Sequence, residues 1–308
     1  MLPITMALMM TMLGAQATTE DYGVFETPGF RCTIGNNAAL GEHAERYNGV
    51  FGIAAEGIDA SPFVPRYAGL NLEHYFDSRP RPKDGDVLFE PRVAPMTFER
   101  MDANTAELYQ PATPVFGVES WTRFEVKAPY YVDMDYRCVP RKDAFVSDFF
   151  GVFWASYINA PLDKSIYFLD AGSTLDDPRW VQVCTQQHGS LSTIRHEADD
   201  LETPFEAPDG LLFGEDALLR YAEHFFYGRF RDRVLIYIFA PGPTIRFAHS
   251  PSGGGRTASG DATNPAWDFQ LIVPDYKVGE TYRLRMRLVF KPWAGRDDVL
   301  REVRKYRD

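Results

Sequence analysis

Two runs of this chain place charged and aromatic groups at alternate positions. In 118–127 the residues Glu119, Trp121, Arg123, Glu125 and Lys127 share one side, and in 131–138 Tyr131, Asp133, Asp135 and Arg137 do the same. A period of two marks a strand with two unlike faces. A short turn near Pro129 joins the runs, so the spacing predicts a hairpin. It sets Glu119, Trp121 and Arg123 beside Asp133, Asp135 and Arg137. Carboxylates and guanidinium groups pair with hydroxyls, and an indole stacks on C–H faces, so such a surface suits a saccharide. The plain alternative is a solvated face of mutually paired charges, worth little energetically.

Proton-transfer chemistry points elsewhere. His74 sits in Asn71-Leu72-Glu73-His74, His188 closes the run from Trp180, and His249 precedes Gly253-Gly254-Gly255. Each can act as acid or base near neutral pH, and the glycines let backbone approach a ligand closely. Glu119 and Asp268 are the carboxyl groups placed to assist. Tyr157 and Asn159 share one side at the end of the apolar run from Val152, where a substrate would be met. Arg283, Arg285 and Arg287 stand in one row. They could hold a carboxylate such as that of a uronic acid, or pair with the chain's own acids. Asp133 and Asp135 could hold calcium, but without a loop signature; no other cofactor is expected. No nucleophile elbow, P-loop, H-x-H or H-E-x-x-H spacing appears, so acyl and phosphoryl transfer are disfavoured.

The elements that position these groups are mostly strands. Alternating segments separated by turn residues run from about residue 96 onward, after a Pro-rich stretch (62–95) expected as long loops. Residues 18–45 hold little periodicity. One internal helix is predicted over 214–227 from the spacing of Leu218, Leu219, Ala222, Phe225 and Phe226. A short C-terminal helix is predicted from Asp297 to Tyr306, acidic at its start and basic at its end. Many strands with few helices predict a large antiparallel β-sandwich over 18–308, read as a single domain.

The 308 residues are 45% hydrophobic and carry a net charge of −11, which makes nucleic acid and anionic membrane poor partners. Residues 1–17 form a short apolar run ending Ala15-Gln16-Ala17, the pattern of a cleaved secretory signal, though without a basic start. Export to the periplasm or exterior follows as an expectation, with no later membrane insertion. Cys32, Cys138 and Cys184 are an odd set without C-x-x-C. Three buried small hydrophobes are expected, with a single bridge as the alternative.

The long alternating strands, the polar and aromatic sheet faces, and Pro265-Ala266-Trp267-Asp268-Phe269 ahead of a C-terminal strand resemble the galactose mutarotase-like β-supersandwiches. The resemblance covers roughly residues 45–293. That group includes sugar epimerases, polysaccharide lyases and glycosidase-associated domains. Asn71-Leu72-Glu73-His74 is similar to its histidine pattern. The resemblance implies an exported carbohydrate-active protein with acid–base chemistry at a sugar carbon. His74, His188 or His249 would move the proton, Glu119 or Asp268 would assist, and Arg123 and Tyr157 would orient the substrate. The competing reading is a non-catalytic glycan-binding or structural surface protein. It has a shallow groove and scattered histidines.

Overall fold

Side-chain alternation builds two broad layers with a third small one at their edge. The computed structural model describes residues 20–58, 60–80, 82–203, 211–242 and 244–308; the expected signal at 1–17 lies outside the described residues. The chain opens with β1 (Tyr22–Thr27), β2 (Phe30–Gly35) and β3 (Gly49–Ala55), an antiparallel three-stranded sheet. Then come β4 (Asn71–Phe76), the one-turn helices α1 (Gly85–Leu88) and α2 (Glu90–Val93), β5 (Thr97–Arg100), β6 (Thr105–Gln110), β7 (Val118–Lys127), β8 (Tyr131–Pro140) and β9 (Phe149–Ala155). The short β10 (Ile166–Leu169), β11 (Trp180–Val183) and β12 (Thr193–His196) follow, then β13 (Asp216–Tyr221), β14 (Phe225–Phe230), β15 (Arg233–Phe239) and β16 (Ile245–Ser250). The chain ends in β17 (Ala266–Pro274), β18 (Tyr282–Pro292) and helix α3 (Arg296–Arg307).

Nine strands form one antiparallel sheet in the order β11-β10-β14-β15-β18-β8-β7-β6-β5, and six form the other in the order β13-β12-β16-β17-β9-β4. Only β12 and β13 run parallel among the paired strands of the six-stranded sheet. Between the sheets lies the main core. Phe150, Val152 and Trp154 of β9 and Trp267, Phe269 and Leu271 of β17 meet Tyr237, Phe239, Met286 and Leu288 there. The Trp154 and Phe269 rings stack at 5.1 Å. Each such side chain contributes about 1.5–3 kcal/mol by leaving water. On the far side of the nine-stranded sheet, Val299, Leu300 and Val303 of α3 cover Tyr131, Val234, Ile236 and Val289. Tyr130 and Tyr131 donate to Glu302 at 2.9 and 2.8 Å and fix that helix in register.

The β7–β8 hairpin forms as the spacing predicts, with Trp121 opposite Arg137, Arg123 opposite Asp135 and Glu125 opposite Asp133. The C-terminal helix also forms. The internal helix expected over 214–227 does not: its residues make β13 and β14. Leu218 and Leu219, assigned to its apolar face, are 95% and 40% exposed. In β14, Phe226 and Phe230 face the inter-sheet core while Phe225 and Tyr227 face the α3 side. A strand buried on both faces reads as a continuous apolar run, which spacing cannot tell from a helical stripe. Gly228 belongs to that strand for a packing reason, since a Cβ there would lie 2.3 Å from the Trp267 ring. Two further corrections concern the first third of the chain: β1 and β2 form where little periodicity is visible, and β4, α1 and α2 replace part of the expected loops. Cys32 and Cys138 are buried, but Cys184 is exposed, and all three are free thiols.

Candidate active site

The outer face of the six-stranded sheet carries an unusual density of buried polar groups. It begins at β4, whose pairing with β9 shifts register between Leu72 and His74. The shift is a β-bulge, which puts two residues of one strand opposite one of its partner. Glu73 and His74, neighbours that a regular strand would split across two faces, therefore meet: His74 Nε2 lies 3.2 Å from Glu73 Oε1. Both residues are 6% exposed. His74 Nδ1 donates to the Leu88 carbonyl at 2.6 Å. Both ring nitrogens thus face oxygen atoms.

Glu73 gathers further donors. Asn71 Nδ2 donates to Oε2 at 3.0 Å, and the Tyr157 hydroxyl donates to the same oxygen. Arg92 Nη1 stands 4.0 Å from Oε1, its guanidinium stacked 3.9 Å over the Tyr47 ring and 4.5 Å over Phe89. Burial alone would raise this carboxyl. The His74 bond and charge, the Arg92 charge and the Tyr157 hydroxyl outweigh it and hold Glu73 at about 2. Tyr47, Tyr67 and Tyr157 close the end of the layer with centroids 4.6–5.7 Å apart.

Asp268 on β17 behaves oppositely. It is 0% exposed. Burial drives its carboxyl well above the usual range, the negative Glu73 adds to the rise, and one N–H from Ser156 at 2.9 Å offsets only part. Burial thus favours the protonated form of Asp268, and its Oδ2 has no hydrogen-bond partner among the described residues. Beside it, Gln270 donates to Thr193 Oγ1 at 2.8 Å while its own Oε1 is equally orphaned. Arg246, cross-strand from Gln270, is locked by Asp199 (2.7 Å) and the Leu201 carbonyl (2.7 Å). Arg195, cross-strand from Arg246, leaves its Nε without a partner among the described residues. Orphaned buried polar atoms are rare, and three of those among the described residues, on Asp268, Gln270 and Arg195, belong to this sheet.

An open cavity of about 810 Å³ lies at one end of this face, lined by Arg79, Asp148, Phe149 and Asp275 among others. A smaller one of about 240 Å³ shares Arg79 and Pro80 with it and ends on Phe76, Leu88 and Phe213. Phe213 stacks on Phe76 at 4.0 Å and meets the His74 ring edge-on at 5.5 Å. The small cavity thus stops one ring short of His74.

The residues singled out in the sequence divide between locations. His74, Asp268 and Tyr157 come together in this layer. Asn159 follows Tyr157 at the strand end, its backbone N–H bonded to Pro62. Glu119, Trp121, Arg123, Asp133, Asp135 and Arg137 lie on the outer face of the opposite sheet, with the whole core between them and His74. There Arg283 pairs with Asp135, and Arg287 with Asp133 at 2.6 Å. Glu119 accepts from Tyr109 at 2.7 Å and from Arg141 at 2.6 Å. Arg137 stacks 4.3 Å over Trp121. Asp133 and Asp135, considered above for calcium, are thus occupied by guanidinium groups.

The three histidines are not brought together. His188 is exposed and meets Ser250 Oγ at 2.8 Å. His249 is 0% exposed. Its Nδ1 accepts from the Thr185 N–H at 3.2 Å and its Nε2 donates to the Lys164 carbonyl at 2.8 Å, which fixes a neutral tautomer. Burial, partly opposed by that carbonyl, lowers it to about 4.

Glu73, Arg92 and Gln270 belong to the layer without having been singled out for it. Glu73 stands in the quoted Asn71–His74 motif, but only the bulge turns it to His74's side. Arg92 arrives through α2, inside the Pro-rich stretch. Gln270 alternates with Asp268, and that pairing was the available signal.

No family model and no curated protein matches the sequence. Solved structures do. A galactose mutarotase-like protein from Lactobacillus casei ATCC 334 superposes with a TM-score of 0.50 at 9% identity, over 88% of this chain and 100% of that one. An aldose epimerase homologue from C. elegans gives 0.45 at 10%, over 89% and 100%. Heparan sulfate lyase from Pedobacter heparinus gives 0.43 at 12%, over 86% of this chain and 34% of that one. At such identities the likeness is one of fold: the chain has the galactose mutarotase-like β-sandwich architecture.

Proposed function

We propose that the outer face of the six-stranded sheet binds a saccharide and carries out acid–base chemistry at a sugar carbon. The observation that supports this most is a pair of buried carboxyl groups in one layer driven in opposite directions, Glu73 down and Asp268 up. Such divergence assigns roles. Asp268 is the acid, its O–H without a partner among the described residues. Glu73, held near 2, is too weak a base to take a proton itself. It orients His74, and His74 carries the proton. The nitrogen a ligand would take over is Nδ1, which now faces the Leu88 carbonyl at the wall of the small cavity.

β4 and β17 flank β9. His74 is level with Phe153 and Asp268 lies two residues further along, so the two are two strand spacings and two residues apart, roughly 12 Å, which a pyranose bridges with a hydrogen bond at each end. Gln270 Oε1 and Arg195 Nε would receive hydroxyls. The small cavity behind the Phe76–Phe213 stack is the space nearest His74 and would take the sugar ring. Export through the 1–17 leader belongs to this proposal.

The test is a glycan array followed by product analysis on hits. An elimination gives an ultraviolet-absorbing alkene, a hydrolysis new reducing ends, an epimerisation a stereoisomer. Asp268→Asn, isosteric and neutral, should keep the fold and lower turnover by about 10²–10⁴. Binding without any product, or full turnover in the variant, would leave only a glycan-binding sandwich.

A further inference from the structure

The opposite face of the molecule carries an unbalanced arginine. On β18, Arg283, Arg285 and Arg287 point to one side. Arg283 is bidentate to Asp135, and Arg287 to Asp133 at 2.6 and 2.8 Å. Arg285 stands directly opposite Asp135 in register, yet Asp135 is taken by Arg283. No carboxylate lies within 4.0 Å of the Arg285 guanidinium among the described residues.

Arg285 instead lines two cavities at once. One, of about 370 Å³, also has Arg123, Glu125, Asp133 and Asp135 on its wall. The other, of about 570 Å³, has His196, His224, Glu223 and Arg307. Tyr306 of α3 is common to both, so the two cavities adjoin at Arg285 and Tyr306 and are together called the groove below. The groove's carboxylates have their own cations. Glu125 meets Lys127 at 2.9 Å, Asp133 meets Lys127 and Arg287, Asp135 meets Arg283, and Glu223 meets Arg307. Arg123 lies between Glu107 and Asp135 in register and, like Arg285, has no ion pair among the described residues, so the unmatched positive charge belongs to Arg123 and Arg285 together. Positive charge left over on a protein of net charge −11 is a local attractor for an anion. The guanidinium fork fits a planar or tetrahedral oxyanion, and the Tyr306 ring beside it is held in place by Arg287, 5.2 Å over its face.

From this geometry we infer that the groove is a second ligand site, for an acidic saccharide whose carboxylate or sulfate is held by Arg285. It shares no residue with the acid–base layer and stands or falls independently of it.

The full chain is titrated calorimetrically at low ionic strength with a glucuronate-bearing oligosaccharide, its carboxyl-reduced neutral counterpart, and sodium sulfate. The glucuronate ligand should bind. Carboxyl reduction and Arg285→Gln should each weaken binding at least ~10-fold. Combined, they should cost no more than either alone, as for two halves of one contact. Arg285→Lys should recover part of the loss. Asp268→Asn should leave this binding unchanged while lowering turnover by about 10²–10⁴, which separates this inference from the proposed activity. Equal binding of the reduced oligosaccharide, an unaffected Arg285→Gln, or binding of inorganic sulfate without the oligosaccharide would overturn it.

Discussion

Glu73→Gln probes the buried network where its electrostatics are strongest. In the native state the carboxylate receives Asn71 and Tyr157 and faces His74 and Arg92. Its fall from 4.5 to about 2 corresponds to about 3 kcal/mol of stability at neutral pH. The sign follows from the direction. A carboxyl depressed in the folded state stabilises above its unfolded value, and that contribution is lost as pH falls from 4.5 toward 2. The amide cannot ionise, so the variant leaves the buried Arg92 guanidinium without its anion. Chemical denaturation of both proteins across pH should show Glu73→Gln destabilised by about 3 kcal/mol near pH 7. The difference should shrink as pH falls through 4 toward 2. A difference that stays constant over that window, or stays under about 1 kcal/mol at pH 7, would refute the ion-pair account of this layer.

Other expectations concern packing, titration and thiols. Gly151→Ala would place a Cβ 2.0 Å from the Phe76 ring, so it should cost about 1–3 kcal/mol in denaturant melts and disturb the Phe76–Phe213 stack. His249, lowered from 6.5 to about 4, resists a proton that the unfolded chain accepts. Wild-type stability should therefore fall by about 3 kcal/mol between pH 6.5 and 4, and His249→Gln should remove that slope. A thiol reagent should label Cys184 alone in the native protein and Cys32 and Cys138 only after unfolding, as counted by mass spectrometry.

The two-layer architecture was legible because period-two alternation survives wherever one face is wet. The β7–β8 hairpin shows this, with polar and apolar residues in strict turn. It fails in β14, whose apolar run passes for a helical stripe, and in β1, whose exposed side begins with Tyr22 and Val24 rather than polar residues. The make-up of the buried polar layer was half legible. His74, Tyr157 and Asp268 carry chemistry in their side chains and could be named from type alone. Their assembly with Glu73 depends on a bulge, a local register event that leaves no composition signal. Arg92 depends on how a Pro-rich segment folds back across β4. The charged hairpin face drew attention for the same alternation that revealed its strands, and most of its charges pair with one another.

Hydrogen–deuterium exchange, with and without a saccharide hit, locates the ligand most directly. Protection should appear in the peptides spanning 71–76, 85–93 and 266–272, and be lost in Asp268→Asn if the acid contacts the sugar. Protection confined to 118–140 and 282–292, or none at all, would contradict the assignment of the acid–base site to the six-stranded sheet.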